Sequence, residues 1–163
     1  MAAVKQQINQ FERLLIGIIQ DTLISNKAVK AFGKAAIDLI VARTRRGYGV
    51  IKTGANANRL KSLSSSYVEF RKRSKLDSTT SPGKSNLTFS GQLLKSLIVE
   101  TKQDGSFTIR ANDRKRKNGP TNNELAQIVA DNGRPFLGLT GSEIKQLSQL
   151  YETGLAAALK KRL

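Results

Sequence analysis

Most residues in this chain that could do chemistry are cations. Pro82-Gly-Lys-Ser85 has the ending of a phosphate-binding loop, in which backbone amides cradle phosphates and the lysine reaches them. That loop needs a glycine five residues before Gly83, where this chain has Ser78, so the match fails. Ser90-Gly-Gln92 lacks the Gly-x-Ser-x-Gly pattern of a nucleophile elbow. Glu69, Asp77, Glu100, Asp104 and Asp113 stand singly, whereas a Mg²⁺-dependent nuclease needs grouped carboxylates. There is no histidine and no cysteine, which excludes imidazole acid–base chemistry, thiolate chemistry and disulfides. The expectation is a protein without catalytic residues, metal or cofactor.

What remains is positive charge. The net charge is +16, and residues 39–117 carry 18 Lys and Arg against 5 Asp and Glu. Both ends of the chain are nearly neutral. A concentrated basic field points to a polyanion: nucleic acid, acidic lipid or an acidic protein face. Two runs stand out as candidate DNA or acidic-partner contacts: Arg71, Lys72 and Arg73, and Arg114, Lys115, Arg116 and Lys117. The second run sits on a loop bounded by Asp113 and by Gly119-Pro120. Four adjacent cations cannot be buried without counter-charges, so this loop is expected in solvent. A merely solvated charge run is the plain alternative. Tyr48, Tyr67, Phe70, Phe89 and Phe107 form no recognisable base-stacking motif.

These residues need a frame. A chain of 163 residues reads as a single domain, 1–163, with a helical N-terminal region (3–46), a loop-rich basic middle (47–96), and a hairpin with C-terminal helices (97–163). Val4, Ile8, Phe11, Leu15 and Ile18 mark one face of a helix over about residues 3–23. Val29, Phe32, Ala36, Leu39 and Ile40 mark a second, which stops at Gly47 and Gly49. Residues 47–52 form a short strand or a loop, and 53–60 read as loop. Ser66-Tyr-Val-Glu69 has capping-box spacing and opens a short basic helix ending near Arg73. Residues 74–86 are poor in apolar side chains and predict an exposed flexible loop. Ser90 caps a short helix through Lys95 or Ser96. Leu97-Ile-Val-Glu-Thr101 and Ser106-Phe-Thr-Ile-Arg-Ala111, joined by Gln103-Asp-Gly105, predict a β-hairpin, which needs further strands to be stable. Thr121-Asn-Asn-Glu124 and Thr140-Gly-Ser-Glu143 are capping boxes for two C-terminal helices, the first ending at a Gly133 C′ residue. Leu139 and Ile144 are placed to form a hydrophobic staple on the second. The fold class is α+β: a long N-terminal helical region, a small antiparallel sheet including the hairpin near 97–111, and two C-terminal helices. No apolar run is long enough to cross a membrane, and Glu12 and Arg13 interrupt the layout of a signal peptide. The reading is intracellular.

The order of these pieces resembles that of the tail-completion and virion-morphogenesis proteins of tailed bacteriophages, small head–tail joining proteins. The resemblance rests on Leu60-Lys-Ser-Leu-Ser-Ser-Ser-Tyr67 with Arg71 downstream, on Leu87-Thr-Phe-Ser-Gly-Gln-Leu-Leu-Lys-Ser96 before the hairpin, and on Gly133-Arg-Pro-Phe-Leu-Gly138 before the last helix. It spans about residues 42–160. It implies a structural virion protein of the neck, assembled in the host bacterial cytoplasm. It also implies a homo-oligomeric ring around the DNA path. The neighbours would be portal, adaptor or stopper proteins on one side and tail-tube or terminator proteins on the other. Genomic DNA would be touched without sequence preference, and no membrane is involved. Gly91, Leu93, Ser96, Arg134, Pro135, Phe136 and Leu137 would then be structural motif residues. The alternative is a sequence-nonspecific nucleic-acid-binding domain.

Overall fold

The computed structural model describes residues 26–50, 57–74, 81–102, 104–116 and 119–160, and the helix expected over residues 3–23 lies outside them. The element order is α1 (Asn26–Arg45), β1 (Tyr48–Val50), β2 (Ala57–Arg59), α2 (Ser65–Arg73), α3 (Gln92–Lys95), β3 (Leu97–Thr101), β4 (Phe107–Ala111), β5 (Lys115–Arg116), β6 (Gly119–Thr121), α4 (Asn122–Asp131) and α5 (Gly141–Lys160). This is an α+β fold. The strands form three separate antiparallel pairs, β1–β2, β3–β4 and β5–β6.

α1 forms because Val29, Ala36 and Ile40 recur on one face, and that face is buried. It ends where Gly47 takes a left-handed φ of 88°, as the glycines predict. The expected hairpin forms, and its register runs from Leu97 opposite Ala111 to Thr101 opposite Phe107. It gains no third strand among the described residues. α1 covers it instead, and the two approach closely: a Cβ on Gly33 would lie 2.4 Å from Val99 Cγ1. Packing of one face against a helix supports the hairpin in place of further strands.

Three expectations in the basic middle need correction. Residues 57–59 are a strand, not a loop; Tyr48, Gly49 and Val50 pair with Arg59, Asn58 and Ala57. α2 is capped by Ser64, whose hydroxyl accepts from the Tyr67 amide at 3.3 Å, and not by Ser66. The loop expected to be exposed over 74–86 buries Ser85 and Asn86. Residues 75–80 of it lie outside the described residues.

Two segments that are separate in the sequence close the core. Gly91 adopts a left-handed φ of 65° and turns the chain into α3, which buries Leu93 and Leu94. Ser96 is buried, and its hydroxyl donates to the Leu93 carbonyl at 2.7 Å. Gly133, with φ 78°, ends α4 as a C′ residue, and the Arg134-Pro-Phe-Leu turn follows. Phe136 is fully buried among Ile40, Leu93, Leu94, Leu97, Ala111 and Ala126, with Leu137 packed on the cluster. The turn is also tied to β1: the Val50 amide donates to the Pro135 carbonyl at 2.9 Å. A Cβ on Gly49 would sit 2.1 Å from that carbonyl oxygen, so only glycine fits there.

Both capping boxes form. Thr121 and Glu124 exchange bonds at the start of α4, and Thr140 and Glu143 do so at the start of α5. Ile144, expected to staple against Leu139, is 52% exposed. Phe136→Ala is expected to destabilise the protein by about 3–5 kcal/mol, as for other fully buried phenylalanines. Urea unfolding monitored by circular dichroism measures it.

Candidate nucleic-acid interface

The predicted contact residues divide by burial. Arg71 closes the last turn of α2 but points inward and is 2% exposed. Its Nη1 donates to the Lys84 carbonyl at 2.9 Å and its Nη2 to Asn86 Oδ1 at 3.3 Å. Arg71 is therefore no surface contact: its charge binds the loop that follows α2, and the reading of it as a polyanion contact is corrected. Helical spacing explains this, since residues 71, 72 and 73 point in three directions about the axis. Lys72 and Arg73 remain in solvent. Lys72 Nζ pairs with Glu69 at 2.6 Å across one helical turn, both side chains about half exposed. Such a pair is worth little to stability and competes weakly with a phosphate.

The run at 114–117 is not a free loop. Lys115 and Arg116 form β5, paired with β6 across a bulge. The Asn122 amide donates to the Arg114 carbonyl at 3.2 Å. Arg114 and Lys115 are exposed; Lys117 lies outside the described residues. The Thr121 amide and hydroxyl, and then the charge of Lys115, hold the Glu124 carboxylate below the usual range. The structure thus anchors the basic run to the cap of α4.

Three features escape a reading of the sequence. The first is a surface cluster of Tyr67, Phe70 and Phe89, with ring centroids 5.5–6.2 Å apart. Tyr67 and Phe70 are 38% and 55% exposed. Their i, i+3 spacing was the available signal, but Phe89 joins them from a distant turn. The second is the role of Arg134. Its guanidinium donates to the carbonyls of Lys61 and Ser62 at 3.0 and 2.9 Å and to Ser85 Oγ at 3.1 Å. The third is Arg43, buried in α1 and paired with Glu143 of α5. No local pattern announces partners that far away.

Arg71 and Arg134 together hold the 84–86 loop from two sides. Asn86 and Thr88 are buried and bonded to each other at 2.7 Å, on either side of Leu87. Leu87 takes a left-handed φ of 54°, a conformation that branched side chains avoid. The surrounding bonds hold it there, so the loop is a fixed part of the surface.

Among the described residues, no group of three or more Asp or Glu could hold a metal ion, and no helix is long and apolar enough to cross a membrane. No family model, no curated protein and no solved structure matches this chain.

Burial separates scaffold from contact, and substitution reads that division. Arg71→Met is expected to cost about 2–3 kcal/mol, because it removes charged hydrogen bonds to a buried loop. Lys72→Gln is expected to change stability by about 0.5 kcal/mol or less. Denaturant titration of the two variants side by side measures the contrast.

Proposed function

We propose that this chain is a structural, non-enzymatic component of the head–tail joint of a tailed bacteriophage, assembling as a ring on the DNA path between portal-side and tail-side proteins. One observation carries the reading. Two of the segments on which the resemblance rests are separate in sequence, yet they build one core: Phe136 and Leu137 of the turn pack with Leu93 and Leu94 of the Ser90-Gly91 element, and Arg134 reaches Ser85. The turn and the helix element are therefore parts of one structural unit, which supports the motif as an architectural device. The uneven charge gives the ring its polyanion, since phosphate contacts by Lys and Arg are independent of sequence, as a conduit requires. Phe70, Ile144 and Leu150, each more than half exposed, offer apolar surface for neighbouring subunits.

A second reading, a free nucleic-acid-binding domain, draws support from the exposed Tyr67–Phe70–Phe89 cluster, because bases stack on such rings. The two readings differ in particles. With the chain depleted, the joint reading expects filled heads and separate tails that join when the protein is restored; normal joined virions contradict it.

Subunits carrying +16 repel one another, so the isolated protein is expected to be monomeric or weakly associated and to close into a ring only in the joint. Light scattering at micromolar concentration and low salt checks this. A stable ring under those conditions contradicts it.

A further inference from the structure

An open cleft of about 500 Å³ lies between the turn after α1, the β1–β2 pair and the 83–85 loop. Its wall carries three cations, Arg46, Arg59 and Lys84, together with Tyr48, and no Asp or Glu lines it among the described residues. None of these belongs to the basic runs that stand out in the sequence.

The backbone under each cation is fixed. Tyr48 and Arg59 are directly opposite in the β1–β2 register, so their side chains share a face. The Leu60 amide donates to the Gly47 carbonyl at 2.9 Å and holds this ladder to the end of α1. Lys84 is held through its backbone: its amide donates to the Ser81 carbonyl at 3.0 Å and its carbonyl accepts from buried Arg71. Its stem passes Gly47, where an added Cβ would be 3.4 Å from Lys84 Cγ. The charged ends are in solvent and uncommitted: among the described residues, no hydrogen bond or ion pair engages the side chain of Arg59 or Lys84. Among the described residues, the Arg46 guanidinium donates only from Nε, to the Ala42 carbonyl at 3.3 Å.

The cleft opens at a helix C-terminus, where the helix dipole disfavours an anion. That penalty is reduced here. Arg46 takes the end carbonyls of Ala42 and Arg43, and the Gly47 amide takes that of Thr44. Like charges held together around a cleft lacking carboxylates are left uncompensated until an anion enters.

We propose that the Arg46–Tyr48–Arg59–Lys84 cleft seats a backbone phosphate of nucleic acid, with buried Arg71 and half-buried Arg134 as positioning residues behind it. Forked guanidiniums and a lysine suit phosphate oxygens, and the Tyr48 hydroxyl supplies a further donor. Arg45 and Lys61, next in sequence to the cleft residues Arg46 and Leu60, are also exposed cations. Exposed cations on long stems suit a backbone contact that positions without reading sequence.

The inference rests on DNA being the polyanion of the proposed joint, and its test uses the isolated full chain. Its failure would remove the cleft alone and leave the particle experiment to judge the joint. Binding of a short random-sequence DNA duplex is followed by fluorescence anisotropy across a salt series. The R59Q/K84Q variant is expected to bind about tenfold more weakly at about 0.1 M salt and to lose about one unit of slope in log K against log salt. The K30Q/K145Q variant removes the same charge from exposed positions on α1 and α5 and is expected to keep the wild-type slope. Equal slopes for R59Q/K84Q and wild type would overturn the proposal, and so would equal losses in both variants, which would mean a diffuse field. Inorganic phosphate and pyrophosphate form the second arm. If either raises the Tm of wild type but not of R59Q/K84Q while the DNA slope is unchanged, the cleft is a small-anion site and the proposal fails.

Discussion

The fold depends on one buried guanidinium. Arg43, in the last turn of α1, donates through Nη1 to the Glu143 carboxylate and through Nη2 to the carbonyls of Phe136 and Gly138, at 2.6 and 3.0 Å. Three segments meet on that side chain: the end of α1, the Arg134-Pro-Phe-Leu turn and the first turn of α5. Glu143 also accepts from the Thr140 amide at 2.8 Å, so the same carboxylate caps α5 and neutralises Arg43. Burial pulls the Arg43 pKa down and Glu143 opposes it; a guanidinium stays charged through such a shift. A buried charge is tolerated only when paired and hydrogen-bonded, so this arrangement fixes where the turn can sit. The cost is visible in Arg43 Nε, which is buried and has no hydrogen-bond partner among the described residues.

From that point the rest follows outward. With the turn in place, the Pro135 carbonyl receives the Val50 amide and fixes β1, and β1 fixes β2 by pairing. Arg134, leaving the same turn, reaches Lys61, Ser62 and Ser85. Arg71 completes the tie to the 84–86 loop. Three two-stranded ladders satisfy few backbone groups, and buried carbonyls need donors from somewhere. Arginines supply them. Part of the large positive charge is thus structural, while other cations, among them Arg46, Arg59, Lys84, Lys72, Arg73, Arg114 and Lys115, face solvent.

What the sequence revealed was local. The stop of α1 at its glycines, the hairpin, the Gly133 C′ residue and both threonine capping boxes depend on residues within a few positions of one another. The burial of Phe136 was legible because a rigid turn between two amphipathic helices leaves an aromatic ring one direction to go. The α+β class followed from these pieces. The errors were non-local. Ala57-Asn-Arg59 has no strand signature and becomes β2 only because β1 is already held against the turn. Ser85 and Asn86 look like loop residues and are buried because two distant arginines bind them. Arg71 looked like its neighbours Lys72 and Arg73, and only its direction on α2 separates scaffold from surface. The candidate cleft was illegible for the same reason: Arg46, Arg59 and Lys84 come from three segments.

The most direct test is a double-mutant cycle on Arg43 and Glu143, which lie 100 residues apart in the chain. Denaturant unfolding of Arg43→Met, Glu143→Gln and the double variant measures it; glutamine keeps the capping bonds and removes the charge. The account predicts that Arg43→Met costs about 3–5 kcal/mol, because it leaves a buried carboxylate unpaired. It also predicts that the double variant is more stable than the sum of the single losses by about 1 kcal/mol or more. Small, additive losses would contradict the claim that this pair holds the turn, the last helix and the first described helix together.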